Sequence, residues 1–158
     1  MHQAISCGVL LPVIGFYAQA GSLYQFPLVG LIPLSLLFFA SNIITALPDL
    51  ASDAEGGKHT YPVRHGLARA MSHALILLIA ANGAAFALNV HWQFDQGLNL
   101  LLALPALVLL VCAIPSLVNK GPEPEKKRAV KQFMVFTISC QVWLLITWTI
   151  LLFWQGMS

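Results

Sequence analysis

Asp49 and Asp53 are two of only three aspartates in the chain, and they stand four residues apart. On a helix continuing the apolar segment before them, positions four apart share a face, with Cβ atoms about 5–6 Å from each other. Asn42, seven residues before Asp49, falls on that face too. Two carboxylates this close repel unless a proton or a cation lies between them. Oxygen donors of this kind suit Mg²⁺, which takes one or two carboxylates and fills the rest of its shell with water and substrate phosphate. Downstream, Gly56 and Gly57 let the backbone turn back, and Lys58 and Arg64 supply cations able to meet a diphosphate. The spacing therefore suggests a Mg²⁺–phosphate site with Asp49 and Asp53 as metal carboxylates. The competing reading is a solvated loop whose acids and bases neutralise one another.

The elements that must position these residues are apolar. Of the 158 residues 58% are hydrophobic and 9% charged, against about 25% charged in soluble domains, and the mean hydropathy is +0.79. That is the composition of a bilayer protein. Stretches free of Asp, Glu, Lys and Arg cover residues 4–21, 26–47, 70–90, 98–118 and 132–154. Each approximates the ~20 apolar residues that a helix needs to span a membrane. The fold expected is an all-α transmembrane bundle of five spans in one domain, residues 1–158, with a polar loop at 48–69 carrying the chemistry. No Lys or Arg precedes the first apolar stretch, so it reads as a retained span rather than a secretory signal.

With five spans, the N-terminus and loops 48–69 and 119–131 share one side. All eight basic residues fall there: Lys58, Arg64, Arg69, Lys120, Lys126, Lys127, Arg128 and Lys131. The positive-inside rule places that side in the cytoplasm and the C-terminus outside. A net charge of +2 gives no reason to expect nucleic acid, and the basic residues face lipid headgroups or an anionic substrate instead. Cys7, Cys112 and Cys140 lie far apart in apolar runs and read as buried structural thiols. Asn82 and Gln141 read as interhelical hydrogen-bond partners, and the Ala/Gly-rich third span as an interior helix.

The longer pattern discriminates between the two readings of the loop. Asn42, Asp49-Leu50-Ala51-Ser52-Asp53, Gly57-Lys58-His59-Thr60 and Val63-Arg64-His65-Gly66 resemble the second aspartate-rich motif of the UbiA superfamily of membrane prenyltransferases. The Gly-Lys-x-Thr-x-x-Val-Arg-x-Gly portion is most similar to dihydroxynaphthoate-type members. Family members have nine spans, with a first motif of the form NDxxDxxxD after the second span and a DxxxD motif after the sixth, so this chain would correspond to spans five to nine. It has no counterpart of the first motif, and the expectation is a fragment of a longer enzyme or a subunit that pairs with a separate N-terminal half. The resemblance implies Mg²⁺-dependent transfer of an isoprenyl group from a prenyl diphosphate to an aromatic, quinone-precursor-like acceptor in a bacterial or archaeal plasma membrane. It implies Asp49 and Asp53 as metal ligands, Lys58 and Arg64 as diphosphate contacts, and Asn42 as a polar group beside them. His59, His65 and His73 are candidates for proton exchange with the acceptor, or else interfacial and packing residues. Thr60 is expected to cap or tie down the loop, and Arg69 to anchor a headgroup. The alternatives are a non-catalytic membrane accessory subunit and a cation-binding transporter, the latter requiring acids within the spans.

Overall fold

A computed structural model describes residues 9–20, 22, 28–93, 96–118 and 123–155. Cys7, Asp95, Lys120 and the start of the first expected span lie outside the described residues. The elements are α1 (Leu11–Ala20), a 3-10 turn at Leu28–Gly30 running into α2 (Leu31–Thr45), the short α3 (Leu50–Glu55) and α4 (Tyr61–His65), then α5 (Leu67–His91), α6 (Gln96–Val118) and α7 (Glu123–Gln155). Among the described residues there is no strand. Such a chain has little choice, because hydrocarbon offers no partner to backbone N–H and C=O groups and a span must satisfy them within its own helix. Leu28–Thr45, Leu67–His91 and Pro124–Thr147 are long and apolar enough to cross a bilayer, and Ala103–Leu117 is a shorter apolar helix. The protein is a helical membrane bundle.

Helix α5 is its centre, packed against α2, α4, α6 and α7. Its buried residues, among them Ala70, Ala74, Leu78, Ala81 and Ala85, recur at three- and four-residue intervals and form one stripe. Small side chains let helix axes approach closely, the main source of attraction where lipid is as apolar as leucine. Ala40 of α2, Ala106 and Ala113 of α6 and Phe133 of α7 complete the core, all fully buried. Ile79 is exposed on α5, as are Ala80 and Gly83 of the small-residue run. The core thiol Cys140 donates to the carbonyl oxygen of Ala106 at 3.7 Å, whereas Cys112, expected to be buried, is exposed on α6.

Three local features depart from expectation. First, α2 does not continue through the aspartates but stops at Thr45, and the amides of Ala46 and Leu47 close onto Ile43 and Ile44 in tighter turns. Pro48 explains the stop: its ring has no N–H to give and clashes with the carbonyl four residues back. Second, the segment expected as a loop at 48–69 contains two helices of its own. Third, α7 begins at Glu123, so most of the expected loop at 119–131 is helical. Pro124 sits in the first turn, where no N–H is required, and the Glu, Lys and Arg after it are good helix formers that carry the helix past its apolar part.

Between α6 and α5, Asn89 donates from Nδ2 to Asn99 Oδ1 at 3.1 Å, and Asn99 Nδ2 reaches the Phe86 carbonyl at 3.4 Å. Both asparagines are buried. They, with Asn82 and Thr147, border a cavity of about 30 Å³, room for a water and little else. The interhelical bond thus falls to Asn89 and Asn99, while Gln141 Nε2 is buried without a partner. At the opposite end of α5, Leu67, Ala68 and Met71 meet Leu117 of α6 and Lys126 and Ala129 of α7 around one groove. The basic start of α7 and the segment carrying Lys58 and Arg64 therefore occupy the same end of the bundle.

Candidate active site

The break at Pro48 sets the site's geometry. Asp49 becomes the N-cap residue of α3, yet its side chain makes no cap hydrogen bond, so its exposed carboxylate is not spent on the helix. Asp53 follows one turn later, its amide bonded to the Asp49 carbonyl at 2.7 Å. Its side chain is buried.

Helix α3 ends in a Schellman arrangement: the Lys58 amide returns to the Asp53 carbonyl at 2.8 Å and the Gly57 amide to Ala54 at 3.2 Å. Gly57 occupies the left-handed position at φ +67°, where a Cβ would collide with the following carbonyl. The same turn carries the Lys58 side chain over Asp53, and Nζ lies 2.8 Å from Oδ1. The hydrogen bond to Asp53 and then its Coulomb attraction hold the Lys58 ammonium above the ordinary lysine range, with Asp49 adding a smaller pull. Lys58 itself is 69% exposed, so the pair is screened and of modest strength.

Asn42, Asp49, Asp53, Lys58 and Arg64, the five residues singled out from the sequence, all line one open cleft of about 1140 Å³. Asn42 comes from α2, the aspartates from the N-cap and the fourth residue of α3, Lys58 from the turn, and Arg64 from α4. Phe39, Ile43, Ile76 and Leu77 make an apolar wall beside these polar groups. The cleft also takes in His59, His65 and His73, whereas Arg69 is exposed outside its lining.

Two further residues were not given a site role by sequence. Thr60 stands at the N-cap of α4 but makes no capping bond, contrary to expectation, and its Oγ1 is buried with no partner. Tyr61 lines the cleft, its hydroxyl 2.5 Å from His73 Nδ1 and its ring stacked at a tilt on His65, centroids 4.4 Å apart. No spacing rule points to that pair, because Gly66, at φ +80°, turns the chain between them.

Magnesium can be tested against this donor set. Asp49 and Asp53 offer hard oxygen ligands on one wall, a match for an ion that needs one or two carboxylates plus phosphate and water. Among the described residues no cluster of three His, Cys, Asp or Glu side chains is present. The two aspartate carboxylates among the described residues would suit an ion that completes its shell with phosphate and water. The orphaned Thr60 hydroxyl, between Lys58 and Arg64 in sequence, is a further donor of the kind a phosphate oxygen accepts.

The model of the UbiA prenyltransferase family matches residues 4–140. The chain belongs to that family. Neither a curated protein nor a solved structure matches it. UbiA membership accounts for what the geometry combines: a polar, charge-bearing mouth, an apolar wall, and a membrane bundle around both. It makes prenyl transfer the general activity to which this site relates.

Proposed function

We propose that the chain forms the diphosphate-binding part of a magnesium-dependent enzyme that transfers an isoprenyl group to an aromatic, quinone-precursor-like acceptor of the dihydroxynaphthoate kind. The observation that carries the reading is the convergence of Asp49, Asp53, Lys58, Arg64 and Asn42 on one cleft with an apolar wall. A prenyl diphosphate has the same two characters, a dianionic or trianionic head and a hydrocarbon tail.

Heterolysis of an allylic C–O bond leaves negative charge on the departing diphosphate, and positioned cations at that oxygen are the largest kind of catalytic stabilisation. Lys58 and Arg64 supply such charge from two elements, while Asn42 and Thr60 contribute neutral polar contacts. Magnesium held by Asp49 and Asp53 would add positive charge at the same oxygens. Phe39, Ile43, Ile76 and Leu77 line the path of the tail and keep water from the allylic cation. Two carboxylates hold one ion, so a second acidic set would come from outside these residues, in the same polypeptide or a partner. The cleft end of the bundle faces the cytoplasm by its basic residues, in a bacterial or archaeal plasma membrane.

The test is turnover against Mg²⁺ concentration in the assembled enzyme. Asp49→Asn and Asp53→Asn are nearly isosteric and should each lower kcat by about 10²–10³, raise the Mg²⁺ needed for half-maximal rate, and leave the protein inserted. Asp95→Asn should behave as the wild type. Unchanged turnover and Mg²⁺ dependence in both cleft variants would mean that the carboxylates are structural.

A further inference from the structure

We propose that the groove between the starts of α5 and α7 and the end of α6 seats the headgroup of one anionic phospholipid. This site does not depend on the prenyl-transfer reading. Three helices change character at the groove: the apolar part of α6, Ala103–Leu117, ends there, α5 passes its last Lys or Arg at Arg69, and α7 passes its last at Lys131. A bilayer tolerates charge only near helix ends, so the level at which three helices turn from charged to apolar is the level of the phospholipid phosphates.

The lining has two characters. Leu67, Met71, Leu117 and Val130 are apolar and suit the glycerol backbone and the upper acyl chains. Lys126 joins them from α7, half-buried where Lys127, Arg128 and Lys131 are exposed. Ser116 of α6 also borders the groove; it is 8% exposed, and its hydroxyl has no hydrogen-bond partner among the described residues. A buried hydroxyl left unpaired is costly, and a phosphate or glycerol oxygen would accept its proton. Leu67 and Ala68 are the first two residues of α5. Their amides precede the first bond within that helix, from Ala70 to the Gly66 carbonyl at 3.0 Å, and Gly66 has no side chain to cap them. An open helix start and an ammonium, the two kinds of donor that hold phosphate, therefore meet at one groove.

The groove holds about 420 Å³, against about 30 Å³ for the asparagine-lined cavity at the other end of α5. Charge decides the class of lipid. Residues 123–131 carry Lys126, Lys127, Arg128 and Lys131 against Glu123 and Glu125, and Arg69 adds a cation from α5. That excess attracts an anionic headgroup and disfavours the quaternary ammonium of phosphatidylcholine. The groove and the aspartate cleft share no lining residue. Met71 borders the groove and His73 the cleft, and residues two apart on a helix point about 200° away from each other. The lipid thus sits across α5 from Asp49 and Asp53.

Native mass spectrometry of the whole chain in detergent, titrated with phosphatidylglycerol or with phosphatidylcholine of the same acyl chains, reads the seat. One phosphatidylglycerol should be retained, about ten-fold more tightly than phosphatidylcholine. Lys126→Gln should weaken it about five-fold, the scale of one lysine at an anionic surface, and leave phosphatidylcholine binding as it was. Lys126→Arg should keep the preference. Ala68→Phe fills the groove from an exposed helical position and should abolish the one-to-one complex, whereas Lys131→Gln, exposed and outside the lining, should bind as the wild type. Inorganic phosphate at millimolar concentration should not displace the lipid, because it lacks the apolar part. Equal binding of the two lipids, or an equal loss in Lys126→Gln and Lys131→Gln, would show that the charged end attracts anions diffusely and has no seat. Displacement by inorganic phosphate, or an Ala68→Phe variant that binds phosphatidylglycerol normally, would overturn the proposal as well.

Discussion

Asp53 is the most constrained polar residue of the site: buried, acidic, and matched by one exposed lysine. A buried carboxylate without a counter-charge is costly, so Lys58 serves as its partner whenever no other cation is present. A divalent ion and the Lys58 ammonium then draw on the same oxygens. Lys58→Met should tighten Mn²⁺ binding to the chain, read by electron paramagnetic resonance, by about two- to five-fold, the worth of a partly exposed ion pair. The same variant should bind inorganic diphosphate more weakly, because a cation has gone from its site. Equal or weaker Mn²⁺ affinity would show that Lys58 and the metal do not compete. Lys58 also ties the pair to pH. Its folded value is raised, so the stability it lends is complete below the ordinary lysine value and is lost only as pH climbs through the raised one.

At the scale of elements, the site depends on where helices stop. Gly57 closes α3 and sets Lys58 over Asp53, so its left-handed backbone is part of the site's geometry. Gly57→Ala should cost about 1–2 kcal/mol in that turn, seen as roughly ten-fold faster hydrogen exchange at the Lys58 amide. Gly83→Ala is the control, since Gly83 is inside a regular helix with open space where its Cβ would go. Similar exchange rates in both variants would remove the turn from the argument. The residues at stake here were singled out in sequence because DxxxD followed by Gly-Lys and Val-Arg resembles a family motif, where the DxxxD spacing alone would equally suit a solvated loop. The elements beneath them were read less well. Pro48 announces the end of α2 by a known steric rule, yet the apolar run reaching Leu47 masks it. Tyr61 with His73, and Asn89 with Asn99, were not legible, since each contact depends on how a turn redirects the chain and no periodicity encodes that.

For the whole molecule, the apolar stretches at 26–47, 70–90 and 132–154 coincide with helices long and apolar enough to cross a bilayer, whereas the one at 98–118 contains a shorter apolar helix, Ala103–Leu117. The groove shared by the starts of α5 and α7 and the end of α6 brings both basic segments to one end of the bundle. Single cysteines replacing Lys58 and Lys127, in a background without native thiols, should both react with an impermeant maleimide from the cytoplasmic face. One replacing Asp95 should react only from the other. Labelling of positions 58 and 127 from opposite faces would refute the arrangement.

Helix α7 runs without interruption for 33 residues, about 50 Å at 1.5 Å per residue, whereas the hydrocarbon core of a bilayer is about 30 Å thick. The excess must tilt or protrude, and the charged turns from Glu123 to Lys131 are the part suited to water. A continuous helix with its cations at one end tilts further in a thinner bilayer and stands more upright in a thicker one. Because α7 packs on α5, which carries His73 and one side of the cleft, any change in that tilt would be felt first where the two helices touch.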